Sequence, residues 1–201
     1  MEKYFEYGET ELAHLRKSDK KLGAAIDRIG MLKRQVTPDL FAALVDSVVG
    51  QQISNKAAAT VRGKLDSLCG MEAGKLCALS VEEIQACGMS MRKAGYIKNI
   101  AEIAQSKTVD FATFHEKTDK EIIATLTAIK GVGVWTAEML LIFSLERPDV
   151  ISYGDLAIRR GMMNLYGLKE LAKDKFQRYA KRYSPYSSVA SLYLWELSHT
   201  D

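Results

Sequence analysis

Apolar side chains recur along this chain every three to four residues, the spacing that gathers them on one face of a helix. After Thr37 and Pro38 comes the stripe Leu40, Phe41, Leu44, Val45 and Val48, which predicts a helix capped by Thr37 with proline in its first position. Ser184 and Pro185 repeat that signature ahead of a last helix. A segment from Asp19 to Ile29 closes on Gly30, and another from near Asn55 to Cys69 closes on Gly70, glycine being the residue that most easily leaves a helix through positive φ. Ser80 with Glu83, and Thr118 with Glu121, have capping-box spacing. No stretch of four or more residues alternates cleanly enough to predict a strand. The pattern predicts an all-α fold of about ten helices, with short connections and no linker.

Composition narrows the class without deciding it. A chain of 201 residues suits one large domain or two small lobes, either able to bury a core without covalent staples. The three cysteines, Cys69, Cys77 and Cys87, fit neither a zinc ribbon nor a four-cysteine iron–sulfur cluster, and are expected to be reduced core residues. The N-terminus has no basic-then-apolar leader, and no apolar run nears the roughly 18 residues that span a bilayer, so a cytoplasmic protein without membrane contact is expected. The net charge of +3 is too small to mark a nucleic-acid binder, although basic residues crowd the stretch from Arg159 to Arg182.

The most informative stretch is Leu126-Thr127-Ala128-Ile129-Lys130-Gly131-Val132-Gly133-Val134-Trp135-Thr136-Ala137-Glu138-Met139. Two glycines one residue apart join two amphipathic segments, and each can take a positive φ that would let the chain turn tightly. The turn would present backbone amides at the start of the following helix, where free N–H groups and the macrodipole favour an anion such as a DNA phosphate. By itself a Gly-x-Gly of this kind is equally a plain helical hairpin.

Its flanks add to that reading. The run Gly131 to Met139 resembles the helix-hairpin-helix DNA glycosylase superfamily, and within it the 3-methyladenine DNA glycosylase II family. The resemblance continues through Ser47 to Ala57 with Gln51-Gln52-Ile53-Ser54, through Ser90-Met91-Arg92-Lys93-Ala94-Gly95-Tyr96-Ile97, and through Asp155-Leu156-Ala157-Ile158-Arg159-Arg160-Gly161. His14-Leu15 with Asp19 and Leu22 is similar to the family's opening helices. The resemblance implies one helix-hairpin-helix glycosylase domain over residues 1–201, with two helical lobes, a DNA cleft between them and the hairpin at 126–139. Three departures stand out. There is no room for the β-rich lobe that opens some members, and no cysteine cluster ends the chain. Ile151-Ser152-Tyr153-Gly154 stands where relatives often have a proline-containing turn.

Asp155 precedes a predicted helix, Leu156 to Tyr166, and alone would read as its N-cap. The resemblance makes it the catalytic carboxylate as well, and the roles are compatible. Breaking an N-glycosidic bond develops positive charge on the sugar, which a fixed carboxylate stabilises while it orients the attacking water. Relatives that also nick the strand carry a nucleophilic lysine just after the hairpin. Here Trp135 holds that position, which implies a monofunctional enzyme that leaves an abasic site, and Lys130 is expected to face phosphate or solvent.

A flipped cationic base suits aromatic walls. Trp135 and Trp195 stand at positions that are aromatic in the resembling family, although a lone tryptophan on an apolar helix ordinarily packs in a core. Met139, a turn from Trp135, is expected to supply a softer wall, and Tyr153 and Tyr186 are weaker choices. Gln52 matches the wedge that fills the gap left by the extruded base. The resemblance further implies DNA contacts from Lys130, Gly131, Val132, Gly133, Val134, Thr136, Gln52 and Ser54. It also implies a monovalent cation, sodium or potassium, held by the carbonyls of Thr127, Ile129 and Val132, with no other cofactor.

The expectation is therefore a monomeric enzyme of base excision repair, hydrolysing N3- or N7-alkylated purines such as 3-methyladenine and 7-methylguanine from double-stranded DNA. A glycosylase for another lesion, such as ethenoadenine, is one rival. A non-catalytic helix-hairpin-helix DNA-binding module is another, and it would leave Asp155 and the aromatics without a joint role.

Overall fold

The computed structural model describes residues 2–199. Those residues form twelve α-helices, one 3-10 helix at Phe111–Glu116 and two strands of two residues each. They divide into two compact units: the first joins the chain up to Val36 with the chain from Leu141 onward, and the second is Thr37–Leu140.

The first unit opens with β1 (Lys3–Tyr4), α1 (Glu9–Ser18), α2 (Lys20–Ile29) and β2 (Gln35–Val36). The strands pair antiparallel, Lys3 opposite Val36, which short polar segments of two residues could not announce by alternation. Asp19 caps α2 as its side chain accepts the Lys21 and Leu22 amides, and Gly30 closes the helix with φ 78°.

The second unit contains α3 (Leu40–Gly50), α4 (Asn55–Cys69), α5 (Ala73–Ala78), α6 (Val81–Gln85), α7 (Met91–Gln105) and α8 (Asp119–Thr127). Its core is drawn from the apolar stripes of these helices: Leu44 and Val48, Leu65, Leu76, Ile84, Ile97 and Ile100, Ile122 and Leu126, all buried. Ser80 and Thr118 form the expected capping boxes with Glu83 and Glu121. The cap of α3 differs from expectation. Asp39, not Thr37, accepts the Ala42 amide at 3.0 Å, because a carboxylate two residues farther on offers a stronger acceptor at the point where the chain turns helical. Cys69 and Cys87 are buried as expected, whereas Cys77 is half-exposed at the end of the short α5; all three are free thiols.

Helix α9 (Val134–Phe143) carries the chain out of the second unit, whose boundary falls at Leu140. The first unit then resumes with α10 (Leu156–Tyr166), α11 (Lys173–Tyr183) and α12 (Ser187–Leu197). The last helix starts at Ser187 rather than at the Ser184-Pro185 signature. Its cap comes from far back in the sequence: Asp149 accepts the Ser187 amide at 3.3 Å and the hydroxyls of Ser184 and Ser187. Gly161 lets α10 press onto α12, for a Cβ there would lie 1.8 Å from the Leu194 carbonyl oxygen. Among the described residues no helix is long and apolar enough to cross a membrane.

Candidate functional site

The sequence-predicted residues fall into two groups, one in each unit. In the first unit the centre is Asp155, buried at 7% exposure. As the N-cap of α10 its Oδ1 accepts the Ile158 amide at 2.9 Å, and the same oxygen accepts the indole N–H of Trp195 at 3.3 Å. Two donors from two helices fix the plane of the carboxylate, and the N-terminal end of α10 favours its negative charge. The approach to Asp155 is fixed as well. Ser188 Oγ donates to the Arg147 carbonyl and accepts the Val150 amide at 3.0 Å, while the Ser188 amide donates to the Pro148 carbonyl at 3.0 Å. The loop that delivers the aspartate is thereby stitched to the first turn of α12.

Trp195 is half-buried and lies 5.3 Å, centroid to centroid, from Phe143, with the rings tilted by 33°. Phe143 was not anticipated as a site residue, although it follows Met139 at helical spacing. Tyr153 makes other contacts: its ring meets Phe176 edge-on at 5.2 Å, with the Arg159 guanidinium 5.0 Å and the Lys173 ammonium 5.9 Å from its centroid. Two cations on one ring form a positively charged flank to the Asp155 loop. Leu156, directly after the aspartate, is 68% exposed, an apolar side chain left in solvent that the sequence alone does not mark. Tyr186 packs edge-on against His14 at 5.3 Å, an ordinary packing contact.

In the second unit the hairpin is built as expected, with one difference. Gly131 has φ 89°, and a Cβ there would fall 2.4 Å from the Tyr96 ring. Gly133 has no positive φ, and a Cβ there would meet nothing within 4 Å, so the fold does not demand glycine at the second position. Ile129 and Val132 turn their side chains into the core, leaving backbone as their means of meeting a ligand, while Lys130 is exposed. The Ala137 amide donates to the Gly133 carbonyl at 3.1 Å, a bond that spans the start of α9. Val134 and Trp135 are exposed there, at 55% and 44%. Thr136 is buried, with its hydroxyl accepting from Ser47 Oγ at 3.4 Å, and Met139 is half-buried.

Beside the hairpin lies the turn after α3. Gln52 is exposed with φ 58°, a left-handed conformation uncommon outside glycine. Ser54 caps α4 by accepting the Ala57 amide at 3.3 Å. Sequence reasoning missed the function of Gln51, whose Nε2 donates to the Gly131 carbonyl at 2.9 Å. It also missed Lys93, whose ammonium donates to the carbonyls of Val49, at 2.9 Å, and Gln51. Burial pushes the Lys93 pKa down from that of a free lysine.

Residues 45–185 match the family described as HhH-GPD superfamily base excision DNA repair protein. The chain is 34% identical over 164 residues to DNA-3-methyladenine glycosylase 1 of Schizosaccharomyces pombe, covering 79% of this chain and 72% of that protein. Its structure is similar to a crystal structure of DNA-3-methyladenine glycosidase from Bacillus halodurans, with a TM-score of 0.88, 37% identity and coverage of 98% and 93% of the two chains. It is also similar to the 3-methyladenine DNA glycosylase of S. pombe in complex with abasic DNA, with a TM-score of 0.82, 28% identity and coverage of 96% and 100%.

Proposed function

Because this chain belongs to the HhH-GPD superfamily of base excision DNA repair proteins and groups there with DNA-3-methyladenine glycosylases, we propose that it hydrolyses the N-glycosidic bond of N3- and N7-alkylated purines in duplex DNA. The observation that carries the reading is Asp155, a buried carboxylate held by the Ile158 amide and the Trp195 indole.

Alkylation at a ring nitrogen makes the purine cationic, so it departs with the bonding electron pair as a neutral base and needs little help from a general acid. The sugar is left with positive charge at its anomeric carbon. Asp155 stabilises that charge and orients water, whose oxygen bonds to the carbon while its proton passes by way of the Asp155 carboxylate to solvent, giving an abasic site. Trp195 doubles as a wall for the electron-poor base and Tyr153 is assigned to base recognition in the same unit, while Trp135 and Met139 carry that assignment in the second unit. The start of α9, with Gly131, Val132, Gly133 and Lys130, takes backbone phosphate, and the turn at Gln52 and Ser54 meets the strand at the gap, Gln52 as the wedge. Trp135 has no amine, so no imine to the sugar forms there.

The carbonyls of Thr127, Ile129 and Val132 are assigned to a monovalent cation. Thr127 ends α8, where carbonyls lack helical partners, and its hydroxyl is occupied by the Ile123 carbonyl at 2.7 Å. Neutral oxygens at the negative end of a helix suit a singly charged ion, which would supply one more positive charge facing phosphate.

The test is single-turnover base release from a duplex carrying 7-methylguanine, with Asp155→Asn as the key variant. Asparagine keeps the cap but not the charge, so release should fall by at least about 10³-fold while affinity for abasic DNA persists. Wild-type product strands should break only after hot alkali. Near-normal release by Asp155→Asn would refute the assignment, and faster release of ethenoadenine than of 7-methylguanine would move the substrate class to the neutral lesions.

A further inference from the structure

Helix α7 sends two side chains, one turn apart on the same face, to two different parts of the DNA-contacting surface of the second unit. Lys93 reaches the end of α3, where its ammonium bonds the Val49 and Gln51 carbonyls. Val49 stands in the last turn of α3 and Gln51 is its C-cap, so a cation there both satisfies carbonyls that the helix leaves open and complements the helix dipole. Tyr96 lies against Gly131, so close that even a methyl group would strike its ring. Between the two, Gln51 takes the Lys93 bond on its backbone and gives its own side-chain amide to the Gly131 carbonyl at 2.9 Å. Gln52 follows at once, exposed and in a left-handed conformation.

Two sets of hydrogen bonds and one packing contact close a ring: α7 to α3, α3 to the hairpin, and the hairpin back to α7. From this ring we infer that Lys93, Gln51 and Tyr96 are positioning residues for nucleotide extrusion, holding the Gln52 turn at a fixed offset from the hairpin amides. The inference rests on the function proposed above, in which the Gln52 turn meets the strand at the gap and Gln52 is the wedge. None of the three need touch DNA. A wedge that floats relative to the phosphate-binding amides must find the gap after docking, whereas one braced to them arrives as the phosphates are gripped. Misplacement of about 1 Å is enough to slow an oriented reaction by up to about 100-fold.

The partial burial of Lys93 agrees with this role. A lysine whose pKa is pushed down by desolvation gives up hydration for its two carbonyls, where an exposed helix end would be satisfied by water.

The test uses a duplex with 2-aminopurine beside a tetrahydrofuran abasic analogue, whose fluorescence changes when a side chain enters the stack. Gln52→Ala defines the signal of an unfilled gap. Gln51→Leu, which keeps the bulk but removes the donor to Gly131, should lose most of the wild-type signal and slow excision roughly 10- to 100-fold. Its affinity for undamaged duplex should stay within about twofold, since phosphate contacts are intact. Lys93→Met should behave like Gln51→Leu, and Lys93→Arg, which keeps a cation for the two carbonyls, should restore much of the signal. A Gln51→Leu signal equal to wild type, with Gln52→Ala clearly reduced, would overturn the brace alone. A Gln52→Ala signal equal to wild type would overturn the wedge assignment and the brace with it. Losses in duplex affinity and melting temperature that match the loss of signal would reduce the three residues to ordinary packing.

Discussion

Gly161→Ala tests whether the Asp155 site depends on how closely α10 approaches α12. The added Cβ would stand 1.8 Å from the Leu194 carbonyl oxygen and 2.7 Å from its carbon, whereas real Cβ contacts essentially never fall below 3.0 Å. Both atoms are backbone, so no rotamer change relieves the clash, and the helices must part by roughly 1 Å or more. Overpacking of this kind costs about 3 kcal/mol, which for a domain of this size lowers the melting temperature by roughly 6–12 °C. The displacement also moves Trp195, the residue after Leu194, whose 3.3 Å bond to Asp155 has little slack. Excision below the melting transition should therefore fall by 10- to 100-fold, about what a 1 Å error costs an oriented reaction. Differential scanning calorimetry and single-turnover release of 7-methylguanine would measure both effects on one sample. Unchanged melting and full excision by Gly161→Ala would show that the contact does not constrain the helices. Reduced stability with unchanged excision below the melting transition would separate the helix packing from the site.

The two hairpin glycines should respond differently. Gly131→Ala meets the Tyr96 ring at 2.4 Å in a left-handed conformation and should cost about 2 kcal/mol in thermal denaturation. Gly133→Ala meets nothing, so its melting temperature should hold, while titration with unrelated duplexes should show weaker binding to all of them alike. Asp19 gives a pH signature in the first unit. Burial pushes its pKa up, but the Tyr166 hydroxyl, the Leu22 amide and Arg182 together outweigh that and hold it below the usual value. A depressed folded pKa means that the stabilisation is complete above the unfolded value near 3.9 and is lost as pH falls through the folded one. Urea titrations should therefore show wild type losing its advantage over Asp19→Asn below about pH 4, and an equal gap at pH 3 and pH 7 would contradict the network.

Much of the fold is legible in the sequence because helix ends are decided locally. Asp19, Ser54, Ser80, Thr118 and Asp155 each accept an amide two or three residues ahead, and Gly30 and Gly70 each take the positive φ that a helix exit needs. Where an end is satisfied from a distance, the local signal misleads: α12 starts at Ser187 because Asp149, far earlier in the chain, supplies its acceptor. The site divides along the same line. Asp155 is readable, since its cap and the helix after it lie within a few residues, whereas its bond to Trp195 spans 40 positions and depends on Gly161 bringing two helices together. Gln51 and Lys93 stay hidden for a related reason, for a glutamine and a lysine in amphipathic segments carry no mark of the carbonyls they will find.

The hairpin shows what structure adds even where the motif is plain. Gly131 and Gly133 look alike in the sequence, yet only the first is explained by the fold, through its φ and the Tyr96 ring. At Gly133 the backbone is ordinary and the space beside it is empty, so glycine there brings the protein no conformational advantage and carries the usual entropic cost. A residue that the fold does not need, standing bare at the amide end of α9, is best accounted for by something that must come closer than a methyl group would allow. At a helix N-terminus an anion fits that description, and the function proposed here would make it the phosphate of the DNA strand.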